Sequence, residues 1–559
     1  MVITLATCAV FGAQYCILVF HRDNSPNQSG GPPVSQNRPN ILHLFTDMQR
    51  ADTIHALGNP IIKTPNLDRL VHEGTSFTNA FAPSPVCVAS RCSMIHGQYP
   101  MHTGCYENTP MPTDGRKTFM GALTEAGYRT HGIGKCHFSP DAFAMRGFQT
   151  REIQEEGGGK SDDLSRMDYL SYLVANGFEY ISEPYGVRSE MYYIPQLAQL
   201  PAEHHPTAWV GARSRAFIEQ QTGAEPWYLY SSFIHPHPPF AVPSPWHKIY
   251  RTADMDEPIM PHDVESMMMF VNRVQNRYKY RDQGVDMNLV RTIRAYYYAC
   301  ISFIDYQVGR IIEALERTGR LDNTLVVFSS DHGEYLGDYG CWGKRAMHDA
   351  SARVPLIVRY PERFATGAVV DTPASLVDLA PTFLAAAGGG AAVSSHELDG
   401  VDLADLATGR NPRDVVFSQL ASRMGSGMLS ESSKATLANI TEPREIVAAN
   451  SMYMAVSREG KYVYSAPDAS HYYFDRIRDP HETRNRFGAP FYGEAAERLK
   501  SRLIEHLVAG GETAGLTPDR KDFLTFPRQE LSSNPDHGLL VQDMYTPWTK
   551  IELPGYIDG

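Results

Sequence analysis

The sequence contains no Cys-x-x-Cys pair and no other spacing that suits a structural zinc site. Its eight cysteines are Cys8, Cys16, Cys87, Cys92, Cys105, Cys136, Cys300 and Cys341. In 559 residues that is too few for a disulfide scaffold. One or two bridges fit the count, Cys92 with Cys105 for instance, but no spacing selects them. A basic excess is also lacking: 51 Lys and Arg face 63 Asp and Glu, a formal net charge of −12. This argues against broad nucleic-acid binding. It leaves room for a local anion site, which a few cations build inside an acidic protein. Internal repeats are lacking too. No Lys or Arg precedes the apolar run Met1–Phe20, and no clear small-x-small cleavage site follows it.

What is present is an ordinary globular balance, 42% apolar and 20% charged. The chain is too long for one core, so two domains are expected, one large and one small. Residues 1–22 read as a signal peptide or N-terminal anchor, which places the protein in the periplasm or outside the cell. The alternative is a cytoplasmic chain with a misassigned start. Residues 23–38, rich in Ser, Pro, Gly, Asn and Gln, read as a disordered linker.

From Pro39 the pattern alternates. Asn40–Thr46, Tyr128–Ile133, Trp227–Ile234, Thr324–Ser329 and Pro355–Arg359 read as buried strands. Pro65–Glu73, Ala208–Gln221, Leu289–Arg317 and Val377–Ala387 read as helices between them. Such alternation predicts an α/β fold, a large, mostly parallel sheet flanked by helices, over 39–410. In 411–559 a hairpin of Ser451–Ser457 and Lys461–Tyr464 precedes a helix at Ala495–Val508. This predicts a smaller α+β unit with an antiparallel sheet.

In open parallel sheets, functional residues gather beyond the carboxyl ends of strands. Here those positions hold Asp47, Lys135 with His137, His235 with His237, and Asp331 with His332. Any one of these has a bland reading as a cap, a turn former or a solvated charge. Their recurrence at one topological location argues for a shared site. Asp47, Asp331 and His332 supply two carboxylates and an imidazole for Ca²⁺, Mg²⁺ or Mn²⁺. Arg91, Lys135 and Lys344 suit a small oxyanion, and His137 and His237 suit proton transfer near neutral pH. Cys87 opens a helical pattern, where backbone N–H groups favour an anion and lower a thiol pKa.

These motifs resemble the sulfatase family of the alkaline phosphatase superfamily. The stretch Cys87-Val88-Ala89-Ser90-Arg91 through Gly97 follows the family's C-x-P-S-R signature, with Ala89 in the Pro slot and His96 in the Thr slot. Supporting matches are Pro39–Leu42 with Thr46-Asp47, Lys63–Leu70, Gly134–His137, Pro236–Pro239, Ser330–Glu334, Gly343-Lys344 and Arg353–Val358. The resemblance implies an alkaline-phosphatase-like fold. It also implies a formylglycine made from Cys87 by a maturation enzyme and hydrated to a geminal diol.

By the same resemblance Asp47, Cys87, Asp331 and His332 hold one divalent cation, calcium first and magnesium or manganese next. One diol oxygen attacks a sulfate ester in line. His237 and Lys344 serve the leaving oxygen. His137 then takes the second hydroxyl proton and releases sulfate. Arg91 steadies the diol, and Lys135 binds sulfate oxygens and keeps His137 in place. The substrate expected is a sulfated carbohydrate or an aryl sulfate. Two departures matter. Met48 stands where many members have a second Asp ligand, and a thioether is a poor ligand for a hard cation. Asp331-His332 replaces the commoner Asp-Asn and leans toward the phosphonate monoester and phosphodiester hydrolases of the superfamily. Met48 and Ala89 also leave a non-catalytic protein on the same fold as an alternative. Oligomeric state is not legible.

Overall fold

A computed structural model describes residues 38–155, 166–181, 183–188, 192–280, 286–389 and 397–534. The N-terminal apolar run and nearly all of the predicted linker lie outside the described residues. Among the described residues no helix is long and apolar enough to cross a membrane.

The main sheet has eight strands: β1 (Asn40–Thr46), β2 (Thr75–Phe77), β3 (Arg129–Gly134), β4 (Thr150–Ile153), β5 (Trp227–Phe233), β6 (Thr324–Ser330), β7 (Leu356–Arg359) and β8 (Ala368–Val370). Their spatial order is β8-β2-β7-β6-β1-β5-β3-β4. From β6 to β4 every neighbouring pair is parallel. β7 runs antiparallel to both its neighbours. The five strands read from sequence are all present, within a residue or so at each end. β1 explains why they were legible. Ile41 and Phe45 point into one apolar cluster and Leu42 and Leu44 into another. Both faces are covered, so the strand is an unbroken apolar run rather than an alternating one.

The helices include α1 (Pro65–Glu73), α2 (Cys87–His96), α3 (Pro206–Glu219), α4 (Phe270–Tyr280), α5 (Met287–Arg317) and α6 (Leu379–Ala386). α1, α3 and α5 pack on one face through Leu67, Val210, Ile304 and Val308. α2 and α6 pack on the other through Val88, Met94, Phe383 and Leu384. Every residue of α2 is buried, so it has no solvent face.

A second sheet orders β9 (Val416–Ala421), β10 (Ser451–Val456), β11 (Gly460–Ser465) and β12 (Ser470–Asp475) consecutively, all antiparallel. One face, with Met452, Met454, Val463 and Phe474, joins the main core. The other, with Tyr453, Tyr462 and Tyr473, receives α7 (Gly493–Ala509) through Leu499, Leu503 and Leu507. Two short helices between β9 and β10, Glu431–Leu437 and Pro443–Ala449, were not read from sequence.

Candidate active site

Asp47 begins the loop after β1, Lys135 and His137 follow β3, His237 follows β5, and Asp331 and His332 follow β6. Because these strands are parallel and adjacent, all these residues emerge at one edge of the sheet. α2 delivers Cys87 to the same edge. Cys87 is the first residue of the helix, after extended Val86. The exposed Asn108 accepts the Val88 N–H at 3.0 Å, satisfying one of the helix's free donors.

The side chains converge on the Cys87 sulfur. Lys344 Nζ lies 2.8 Å from Sγ, His332 Nε2 3.2 Å and Asp47 Oδ1 3.8 Å. His137 acts on the same thiol, helping to draw its pKa down. Ligand atoms of Asp47, Cys87, Asp331 and His332 all lie within 4.8 Å of one another, and all four residues are buried. His237 is buried beside them. Its Nδ1–H donates to Pro238 O at 2.8 Å, which leaves Nε2 for the site, 3.4 Å from the Tyr192 hydroxyl.

Arg91 organises the carboxylates. It is buried, and its Nη2 and Nε hold Asp47 Oδ2 at 3.0 Å and Asp331 Oδ2 at 2.9 Å. Its Nη1 donates to Lys135 O at 2.9 Å and to the Tyr230 hydroxyl at 3.1 Å. Such a planar fork fixes two carboxylates relative to each other, which a lysine cannot do. Ser90 Oγ–H donates to Asp331 O at 2.7 Å, tying α2 to the end of β6. The Met48 N–H donates to Asp331 Oδ1 at 3.0 Å, while its thioether meets Lys344 Nζ at 3.6 Å. Met48 thus orients a carboxylate through its backbone. Lys135, expected on the transferred group, sets its Nζ 2.7 Å from Asp47 Oδ2. An ammonium this buried takes the nearest counter-charge.

The electrostatics follow from this crowding. Burial and Asp47 push the Cys87 thiol up, but Lys344, His332 and His137 outweigh them and hold it well below the usual thiol range. Burial also opposes ionisation of Asp47, yet Lys135, His237, Arg91 and Lys344 hold its carboxyl well below the usual range. Asp331 moves the other way: burial and then Asp47 push it up against His332 and Arg91. Two carboxylates in one dry site resist ionising together, and a divalent cation between them removes that conflict. The donor chemistry fits such an ion. Two carboxylates offer hard oxygens, and the His332 Nδ1–H donates to Gly333 O at 3.0 Å, so the Nε2 lone pair faces inward. Among the described residues no other group of three or more such side chains converges in this way.

Several contributors carry no motif. Tyr230 and Ser232 of β5 meet Arg91 only because β5 is the neighbour of β1. Gln275 of α4 accepts the Lys344 N–H at 3.3 Å and donates to Lys344 O. Glu155, just past β4, accepts the backbone N–H groups of Cys136 and His137 at 2.9 and 3.1 Å. A lone Glu or Gln in a loop or helix gives no signal until its partner is known. Among the described residues the cysteines outside the site, Cys92, Cys105, Cys136, Cys300 and Cys341, are buried free thiols, with no Cys92–Cys105 bridge.

Known proteins share this architecture. A family model described as Sulfatase matches residues 39–389. The chain is 27% identical over 534 residues to an arylsulfatase of Clostridium perfringens, covering 88% of this chain and 98% of that protein. It is 29% identical over 473 residues to a choline-sulfatase of Rhizobium meliloti, covering 81% and 83%. Among solved structures, a phosphonate monoester hydrolase of Agrobacterium radiobacter superposes with a TM-score of 0.70 at 23% identity, over 88% of this chain and 100% of that one.

Proposed function

The chain belongs to the sulfatase family of hydrolases, and from that premise we propose that it cleaves a sulfate monoester through a formylglycine made at Cys87. The observation that carries the reading is the Cys87 sulfur itself, met by Lys344 at 2.8 Å and by His332 at 3.2 Å at the start of α2. That sulfur stands in for the oxygens of the hydrated formylglycine. A fixed ammonium and a helix N-terminus at one buried atom suit negative charge developing there.

The residues that would hold the cation are Asp47, Asp331, His332 and residue 87. When bound, it supplies Lewis-acid polarisation and a more acidic nucleophilic hydroxyl. The chain's own residues do the rest. Arg91 keeps Asp47 and Asp331 apart and aligned. Lys344 Nζ reaches the transferring group and meets its charge. His237, with Nδ1 anchored, presents Nε2 to the leaving oxygen. His137 accepts a proton from residue 87 as the acid group departs. The diol supplies its own means of release, because its second hydroxyl can collapse to the aldehyde.

Substrate class follows as part of the proposal: a sulfated carbohydrate or an aryl sulfate, with export or anchoring through residues 1–22. The cation is calcium, ahead of magnesium or manganese. The maturation partner is a formylglycine-generating enzyme, which must accept Ala89 in the Pro slot. The test is turnover of an aryl sulfate against a phosphodiester on matured, metal-loaded protein, with Cys87→Ala as control. Loss of a sulfatase rate in that variant supports the mechanism, and an unchanged rate sinks it. The mass of the Cys87 peptide reports conversion, since formylglycine is lighter than cysteine.

A second reading, phosphonate monoester or phosphodiester hydrolysis, is favoured by one feature. An imidazole, His332, stands in the cation cluster, with Met48 in place of the second aspartate. A phosphodiester rate exceeding the aryl sulfate rate selects it.

A further inference from the structure

The three histidines of the site are held in two different ways. His332 and His237 each anchor Nδ1 on a backbone carbonyl, Gly333 O and Pro238 O. His137 has no such anchor. Its Nδ1 is buried and makes no hydrogen bond among the described residues. Its backbone is left-handed, with φ 54°, a conformation costly for a residue with a Cβ. The imidazole is therefore aimed by its main chain.

One side chain holds that main chain. Glu155 Oε1 accepts the N–H of Cys136 at 2.9 Å and of His137 at 3.1 Å, and its Oε2 accepts the His137 N–H at 3.0 Å. Arg151 Nη2 donates to Glu155 Oε1 at 3.0 Å. The Arg151 Nη1 donates to Ala142 O at 2.9 Å and Ala144 O at 2.7 Å, further along the same loop. Both side chains are buried, 1% exposed for Arg151 and 5% for Glu155, so water does not replace these bonds. Two successive N–H groups pointing one way form an anion-binding concavity, and a carboxylate fills it. A glutamine with its oxygen in the Oε1 place keeps the Cys136 bond but sets an NH₂ against the His137 N–H, where Oε2 accepts at 3.0 Å.

We propose that Glu155 is a positioning residue that aims His137 at residue 87, and that it acts on release of the acid group more than on its transfer. The inference rests on the proposed formylglycine reading. In the step concerned, His137 takes the proton of the free hydroxyl on the residue-87 carbon. The O–H pair becomes the second C–O bond of the aldehyde. The bond from that carbon to the ester oxygen breaks, and its pair leaves with sulfate. Attack and leaving-group departure need Lys344 and His237, which Glu155 does not touch.

The experiment follows 4-nitrophenyl sulfate on matured, metal-loaded Glu155→Gln, with His137→Ala alongside. In Glu155→Gln we expect a burst of one nitrophenol per site, then a steady rate about 10²-fold below the parent. The residue-87 peptide should gain the mass of one SO₃ group. His137→Ala should trap the same adduct. If burst and steady rate fall together in Glu155→Gln with no adduct, while His137→Ala does trap one, Glu155 is merely structural and the proposal is overturned. If His137→Ala traps nothing, the parent reading fails and takes this one with it. Should Glu155→Gln not fold, Glu155→Asp carries the same readouts. It keeps both oxygens on a shorter stem, and burst with adduct supports the proposal while a proportional loss overturns it.

Discussion

Two regions of the molecule bury charge, and they do so differently. At the junction of the second sheet with the main body, Lys461 Nζ sits 2.5 Å from Asp349 and 2.6 Å from Glu482, and Arg476 completes Asp349 at 2.8 Å. Three cations answer two carboxylates, Arg353 Nη1 lying 3.6 Å from Asp349, and Met347 O takes the remaining Lys461 donor at 2.9 Å. At the carboxyl edge of the main sheet, Arg91 and Lys135 answer Asp47 and Asp331, while among the described residues no carboxylate pairs directly with Lys344. Its ammonium is aimed at Cys87 Sγ and Met48 Sδ. The first arrangement is complete within the protein. The second is completed by a group at residue 87. Buried charge that closes on itself holds the fold, whereas buried charge aimed at one atom marks chemistry.

Substitutions can break or sharpen this contrast. The largest effect is expected from Lys461→Met, which leaves Asp349 and Glu482 short of a partner. Unfolding free energy should drop by roughly 3–5 kcal/mol, read by denaturant titration. The rate per folded molecule should stay within about twofold. A large rate loss with unchanged stability would reverse the assignment. Lys344→Ala should do the opposite, lowering kcat by about 10²–10³-fold with the thermal midpoint nearly unmoved. That loss corresponds to roughly 3–4 kcal/mol of transition-state stabilisation.

Gln275→Ala probes the support of Lys344, since Gln275 hydrogen-bonds its backbone N–H and C=O. A fall of about tenfold in kcat is expected, with a stability cost of roughly 1–2 kcal/mol for the unpaired buried N–H and C=O. The smallest effect lies at the outer strand. Burial pushes Glu152 up, but His131 and Arg213 draw it down to about 2. A depressed carboxylate stabilises the fold above its unfolded pKa of about 4.3 and loses that contribution as pH falls toward 2. Glu152→Gln should flatten acid unfolding in that window by less than about 1 kcal/mol, because the pair is partly solvated. No flattening would remove Glu152 from the acid-sensitive set.

Much of this was legible without coordinates. The five strands were readable because strands buried on both faces are apolar runs bounded by turn residues. Asp47, His137, His237, Asp331 and His332 were readable because each lies just past such a run. Glu155 was not, because β4 has only four residues, TREI, with little apolar signal. Gln275 was not, because its function is to hold a backbone far away in sequence. The helices Glu431–Leu437 and Pro443–Ala449 are short and largely exposed, so neither carries a full apolar stripe.

The sequence by itself determined the α/β alternation, the antiparallel second sheet, the family and the residues that meet at residue 87. It could do so because apolar period and strand-end position are local properties of the chain, and because the family follows from resemblance to short motifs that are local too. Only the tertiary structure decided how those residues are tied together. Arg91 spans two carboxylates that lie 284 positions apart, Asp47 and Asp331, because β1 and β6 are neighbours in register. Lys135 lies on Asp47, Lys344 points at sulfur, and His137 is aimed by Glu155 from the next strand over. Such pairings depend on strand order and register, which no single stretch of chain encodes.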